Sequence, residues 1–70
     1  MVYRLAFKEN LRRLRVEKGM TQAQLAQKLG VDQRTISAWE KGVCEPSLSA
    51  VLFLCDFFDE TIEGLVTDSL

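Results

Sequence analysis

Gln22, Gln33 and Arg34 stand on the polar side of the stretch TQAQLAQKLGVDQRTISAWEKG, residues 21–42, where a chain needing only solvation would carry Glu and Lys. Their common chemistry is paired hydrogen bonding. A glutamine amide offers donors and an acceptor in one plane, and a guanidinium presents five donors in a rigid fork. Such groups recognise flat partners with fixed donor and acceptor edges, and they do not shuttle protons at neutral pH. The rest of the chain adds no catalytic set: it has no histidine and therefore no Ser–His or Cys–His pair, and it has no glycine-rich phosphate loop. Glu60 and Glu63, three apart on a surface turn, read as solvated carboxylates, so an enzyme is not expected. Cys44 and Cys55 lack a C-x-x-C spacing and read as one loop thiol and one core thiol; neither a metal site nor a cofactor is expected.

The elements that must hold these side chains fit in 70 residues, near the lower end of what one core stabilises, so 1–70 is read as a single domain. Helical periodicity runs nearly throughout and no stretch alternates with period two, which makes the class all-α. A first helix is expected over about 4–18, with Phe7, Leu11 and Leu14 as its apolar stripe and Gly19 closing it. Thr21 and Gln24 form a capping box at the start of a second helix, whose inner face is Leu25, Ala26 and Leu29. Gly30 ends it, and Asp32 caps a third helix after a single spacer, Val31. Two short helices joined this tightly must cross steeply, which is the helix-turn-helix arrangement, here about 21–41. Ala26 permits the close crossing. Ile36 and Trp39 bury one side of the third helix and leave Gln33, Arg34, Ser37, Ala38 and Lys41 on the other.

Pro46 introduces a fourth helix over about 47–58, with Leu48, Val51, Leu52, Leu54, Cys55 and Phe58 on one broad side. Phe53 and Phe57 fall on the other flank, one turn apart. Thr61 caps a last short helix with Ile62 and Leu65, after which VTDSL is expected to fray.

Net charge is −1 with a pI near 5.3, but its distribution is uneven. Through Lys41 nine basic residues face four acidic ones, a balance of +5, and beyond it six acids stand with no base. A cationic front with an anionic back suits a polyanionic partner on one side. In a helix-turn-helix unit the second helix enters the DNA major groove, N-terminal residues nearest the bases, while the first meets the backbone. Glutamine grips adenine N6 and N7, arginine forks onto guanine O6 and N7, and carboxylates there would repel phosphate. Gln33 and Arg34 sit where bases are read, and Gln22 where a helix N-terminus meets a phosphate. Each glutamine alone would read as an ordinary surface helix former; their joint placement is the signal.

From NLRRLRVEKGMTQAQLAQKLGVDQRTISAWEKG through PSLSAVLFLCDFFDETIEGL, without a gap, the chain resembles the phage-repressor and Cro-like helix-turn-helix proteins of the XRE family. The resemblance implies a lambda-repressor-like bundle of five helices with the second and third as the DNA-binding unit. It places Gln33, Arg34 and Ala38 toward bases and Gln22 on the backbone, with Thr21, Thr35, Ser37 and Lys41 as accessory, mostly phosphate, contacts. It also implies an ion pair between Arg15 and Glu40. Three departures stand out: a loop of Val43, Cys44 and Glu45 where relatives are often basic, Glu60 in place of an aliphatic residue, and the phenylalanines Phe53 and Phe57.

The expected function is sequence-specific binding of double-stranded DNA by a transcriptional repressor, with Arg12 a further backbone contact. A homodimer on a palindromic operator is expected, joined through Phe53, Phe57, Leu65, Val66 and Leu70, an apolar area that a monomer would hide. The alternative is an antitoxin-like protein-interaction module that uses the two phenylalanines and binds DNA secondarily. No segment reaches the ~18 consecutive apolar residues of a membrane span, and the N-terminus MVYRLAFKEN lacks the order of a signal peptide; the expected location is the cytoplasm.

Overall fold

The computed structural model describes residues 5–68. Five helices follow in order: α1 Phe7–Glu17, α2 Gln22–Leu29, α3 Gln33–Lys41, α4 Leu48–Phe58 and α5 Ile62–Val66. Each contributes one large side chain to the centre. Leu11, Leu25, Ile36, Leu54 and Leu65, one per helix in chain order, are fully buried, and Ala26, Trp39 and Val51 complete the core. Full burial of such side chains stabilises by about 1.5–3 kcal/mol each, and distributing them one per helix makes every helix depend on the others.

The caps that start the helices are set by local sequence. Thr21 and Gln24 form a reciprocal capping box, Ser47 accepts from Ala50 N, and Thr61 accepts from Gly64 N. The first helix begins at Phe7, later than its periodicity suggests, and Arg4 lies outside the described residues. The reason is at the other end of the chain. Leu5 pairs antiparallel with Thr67, and the Ala6 N–H donates to Val66 O at 3.0 Å. Asn10 then clamps the same segment, its side-chain NH₂ donating to the carbonyls of Leu65 at 2.9 Å, Thr67 at 3.0 Å and Gly64 at 3.3 Å. Residues 66–68, expected to fray, are thus tied to α1 as far as Thr67.

α4 is turned about its axis from the expected setting. Its buried side is Val51 and Leu54, with Ala50, Cys55, Phe57 and Phe58 partly buried beside them. Leu48 and Leu52, expected inside, are 72% and 52% exposed. Both settings share Val51, Leu54, Cys55 and Phe58, so periodicity alone does not choose between them. The chosen one covers the Phe57 ring, which packs edge-on against Phe58 with centroids 5.1 Å apart and lies 4.9 Å from the Lys18 ammonium. An aromatic ring buries more area than a leucine. At the start of α5 the Glu60 carboxylate accepts from Thr61 N and lies over Gly64.

Candidate nucleic-acid interface

The connection between α2 and α3 determines how the polar side chains are presented. Gly30 is left-handed (φ 73°), and Val31 N donates to Ala26 O at 3.0 Å, which reverses the chain within two residues. Asp32 starts α3 by accepting from Arg34 N at 2.8 Å. Ile36 and Trp39 are then drawn into the core, Trp39 against the Phe7 ring at 6.2 Å. With that stripe inside, helical geometry leaves Gln33, Arg34 and Lys41 exposed and Ser37 and Ala38 partly so.

Two open depressions lie along this face. The first, about 550 Å³, is lined by Gln22, Asp32, Gln33, Arg34 and Ser37, so the structure brings together residues from both helices that lie up to fifteen positions apart. The second, about 280 Å³, is lined by Arg34, Ser37, Ala38, Lys41 and Val43. Thr21 is exposed at the α2 N-cap with its oxygen accepting from Gln24 N at 3.1 Å. Thr35 is partly buried, and Arg12, exposed on α1, lines neither depression.

Gln22 leads from the first depression to a partly buried charge network. Arg15 Nε and Nη2 donate to the two oxygens of Glu40 at 2.7 and 3.0 Å, with side chains only 12% and 5% exposed. Arg15 Nη1 also donates to Met20 O at 2.7 Å, which fixes the turn before α2. The Arg15 pKa is raised, because the hydrogen bond with Glu40, helped by its charge, outweighs the cost of burying the guanidinium. Gln22 joins the network: its Nε2 donates to Glu40 Oε1 at 3.2 Å. One N–H of the Gln22 amide is therefore held, leaving its oxygen and second N–H for the depression.

Residues 11–65 match the helix-turn-helix family. The chain belongs to the XRE-type helix-turn-helix proteins. Over 63 residues it is 40% identical to the cryptic phage CTXphi transcriptional repressor RstR of Vibrio cholerae, covering 90% of this chain and 57% of that protein. It is 38% identical, again over 63 residues, to the HTH-type transcriptional activator BcrR of Enterococcus faecalis, covering 90% of this chain and 31% of the relative. The chain thus spans just under a third of one of these two proteins and somewhat over half of the other. A transcriptional regulator from Listeria innocua superposes with a TM-score of 0.86 at 30% identity, over 96% of this chain and 64% of that one. Among the described residues, the all-α, five-helix architecture expected from the XRE resemblance is the architecture found.

The surface expected to join two copies is not assembled as the sequence suggests. Leu65 is fully buried, since it is the α5 contribution to the core, and it belongs to no surface. Val66 and Phe57 are partly buried, and Phe57 is covered by Lys18 on the side toward α1; Leu70 lies outside the described residues. Phe53 alone of that group is properly exposed, its ring stacked on Phe57 at 5.9 Å. Sequence reasoning missed Asp32 and Val43 as lining residues of the α3 face, and the Gln22–Glu40 bond; a side chain's reach across a turn leaves no trace in periodicity.

Proposed function

We propose that residues 1–70 form one domain that binds double-stranded DNA sequence-specifically and regulates transcription, with α3 as the recognition helix in the major groove. The observation that carries this reading is the first depression, where Gln22 from α2 and Gln33, Arg34 and Ser37 from α3 converge with no role in the core. Arg34 forks onto a guanine, Gln33 grips a neighbouring adenine, and Ala38 meets a thymine methyl. Gln22, Thr21, Thr35, Ser37 and Lys41 contact phosphates, and Arg12 extends the cationic side along α1. RstR is named as a repressor and BcrR as an activator; repression is the output we favour, because a bound domain blocks its operator without further machinery. Among the described residues no helix is long and apolar enough to cross a membrane, and the proposed place of action is the cytoplasm.

The domain acts as a homodimer on a palindromic operator. Its joining surface is centred on the exposed residues of α4, Leu48, Leu52 and Phe53, which a lone copy would leave in water. A protein-interaction module built on two free phenylalanines has less support, since Phe57 is engaged within the chain. A mobility shift on duplexes selected from a random pool tests the function. Selective binding that weakens steeply with salt supports it, and the absence of any selected sequence would contradict it.

A further inference from the structure

Both helices of the DNA-binding unit end in the same backbone motif. α2 closes with Gly30 and Val31, and α3 with Gly42 and Val43; each glycine has φ 73°. Each valine N–H reaches back to the carbonyl of an alanine five residues earlier, Val31 to Ala26 at 3.0 Å and Val43 to Ala38 at 2.9 Å. A hydrophobic contact between these two positions often accompanies such a motif. In α2 the alanine is buried and Val31 is 36% exposed at the edge of the core. In α3 the same backbone bond tethers Val43 to an alanine on the recognition face, and Val43 is 75% exposed. The apolar half of this motif therefore faces outward. It lines the second depression, which continues into the polar one through the shared residues Arg34 and Ser37.

We infer that Ala38 and Val43 form a subsite for the 5-methyl group of a thymine, and that Val43 is a specificity-determining residue at the C-terminal end of the recognition helix. The inference rests on the placement of α3 in the major groove. Among the four bases, thymine alone presents an apolar group there. A cytosine at the same position would leave the two apolar side chains against water, while Lys41 on the rim supplies charge for the adjacent backbone. The recognition helix is thus divided by chemistry: paired hydrogen bonds at its N-terminal half, methyl packing at its C-terminal end. Because the subsite responds to the methyl group itself, 5-methylcytosine should satisfy it as thymine does.

The test takes the duplex that the full chain selects from a random pool and replaces its thymines one at a time by uracil, which removes only the methyl. The wild type should lose affinity about fourfold at one thymine per half-site, the factor expected for one methyl-sized group returned to water. Val43→Ser should narrow the thymine-to-uracil ratio at that position to what Ala38 alone retains and keep its preferences elsewhere; Val43→Ile should widen the wild-type ratio. At so exposed a position both variants should show the wild-type circular dichroism. A selective wild type indifferent to every thymine methyl, or a Val43→Ser protein retaining the full ratio, would overturn the subsite and leave the major-groove reading standing. A wild type that selects no sequence would overturn both.

Discussion

Glu40 ties α1 and α2 to α3, since its two oxygens hold the Arg15 guanidinium and one also accepts from the Gln22 amide. Removing one partner of a buried pair strands the other's charge, so Glu40→Gln should lower stability by about 3–5 kcal/mol. For a chain of 70 residues this is a large share of the total. Urea denaturation measures it, and a variant within 1 kcal/mol of the parent on that scale would mean that Arg15 finds other partners. The pair is insensitive to pH on the Arg15 side. A pKa raised by folding gives stability that is fully present below the unfolded value and is lost only as pH climbs through the folded one. For an arginine that window lies in strong alkali, so thermal stability should show no loss assignable to this pair between neutral and mildly alkaline pH. The pair itself was legible in the sequence through the family resemblance. Its bond to Gln22 was not, because it depends on how steeply α2 and α3 cross.

At the scale of the elements, helix starts were written plainly in Thr21, Asp32 and Thr61, with Pro46 marking the fourth; these three and Ser47 each accept a backbone N–H in their helix's first turn. These are short-range interactions, which is why local sequence reveals them. The setting of α4 and the late start of α1 follow from distant contacts. Nine apolar residues among the eleven of α4 allowed two overlapping faces, and the choice went to the one that shelters Phe57. The pairing of the chain ends hangs on Asn10, a residue with no marked pattern in the sequence. Asn10→Ala should leave the three carbonyls it bonds without that partner and destabilise by about 1–3 kcal/mol. Amide hydrogen exchange should then rise in α5 and at Ala6, whose N–H bonds Val66 O, before it rises in α2 and α3. Uniform loss of protection would show that the clamp is part of the global unfolding unit.

The whole molecule carries its charge asymmetrically, with all nine basic residues at or before Lys41. DNA binding should therefore fall steeply with salt despite the acidic pI, and neutralising Lys41 or Arg12 should each reduce the slope of log K against log salt by about one without changing the preferred sequence. An unchanged slope for either would remove that residue from the phosphate contacts. Dimerisation is tested at the same scale. Sedimentation of Leu52→Ser should show weaker self-association than the wild type with the fold retained, since Leu52 is half exposed and outside the core. Unchanged association in Leu48→Ser, Leu52→Ser and Phe53→Ser alike would place the contact elsewhere.

The most direct measurement of base reading by α3 is a comparison of the motifs selected from one random duplex pool by the wild type and by Arg34→Ala. Arg34 is exposed at the start of α3 and lines both depressions, and a lost bidentate contact costs about 1–3 kcal/mol of discrimination at its base pair. The wild-type motif should be palindromic, with half-sites about 10 base pairs apart centre to centre. In the variant, preference should flatten at one position per half-site and stay sharp at the others. If Arg34→Ala weakens every sequence equally and returns the same motif, Arg34 is a phosphate clamp and the assignment of base reading to this side chain is wrong.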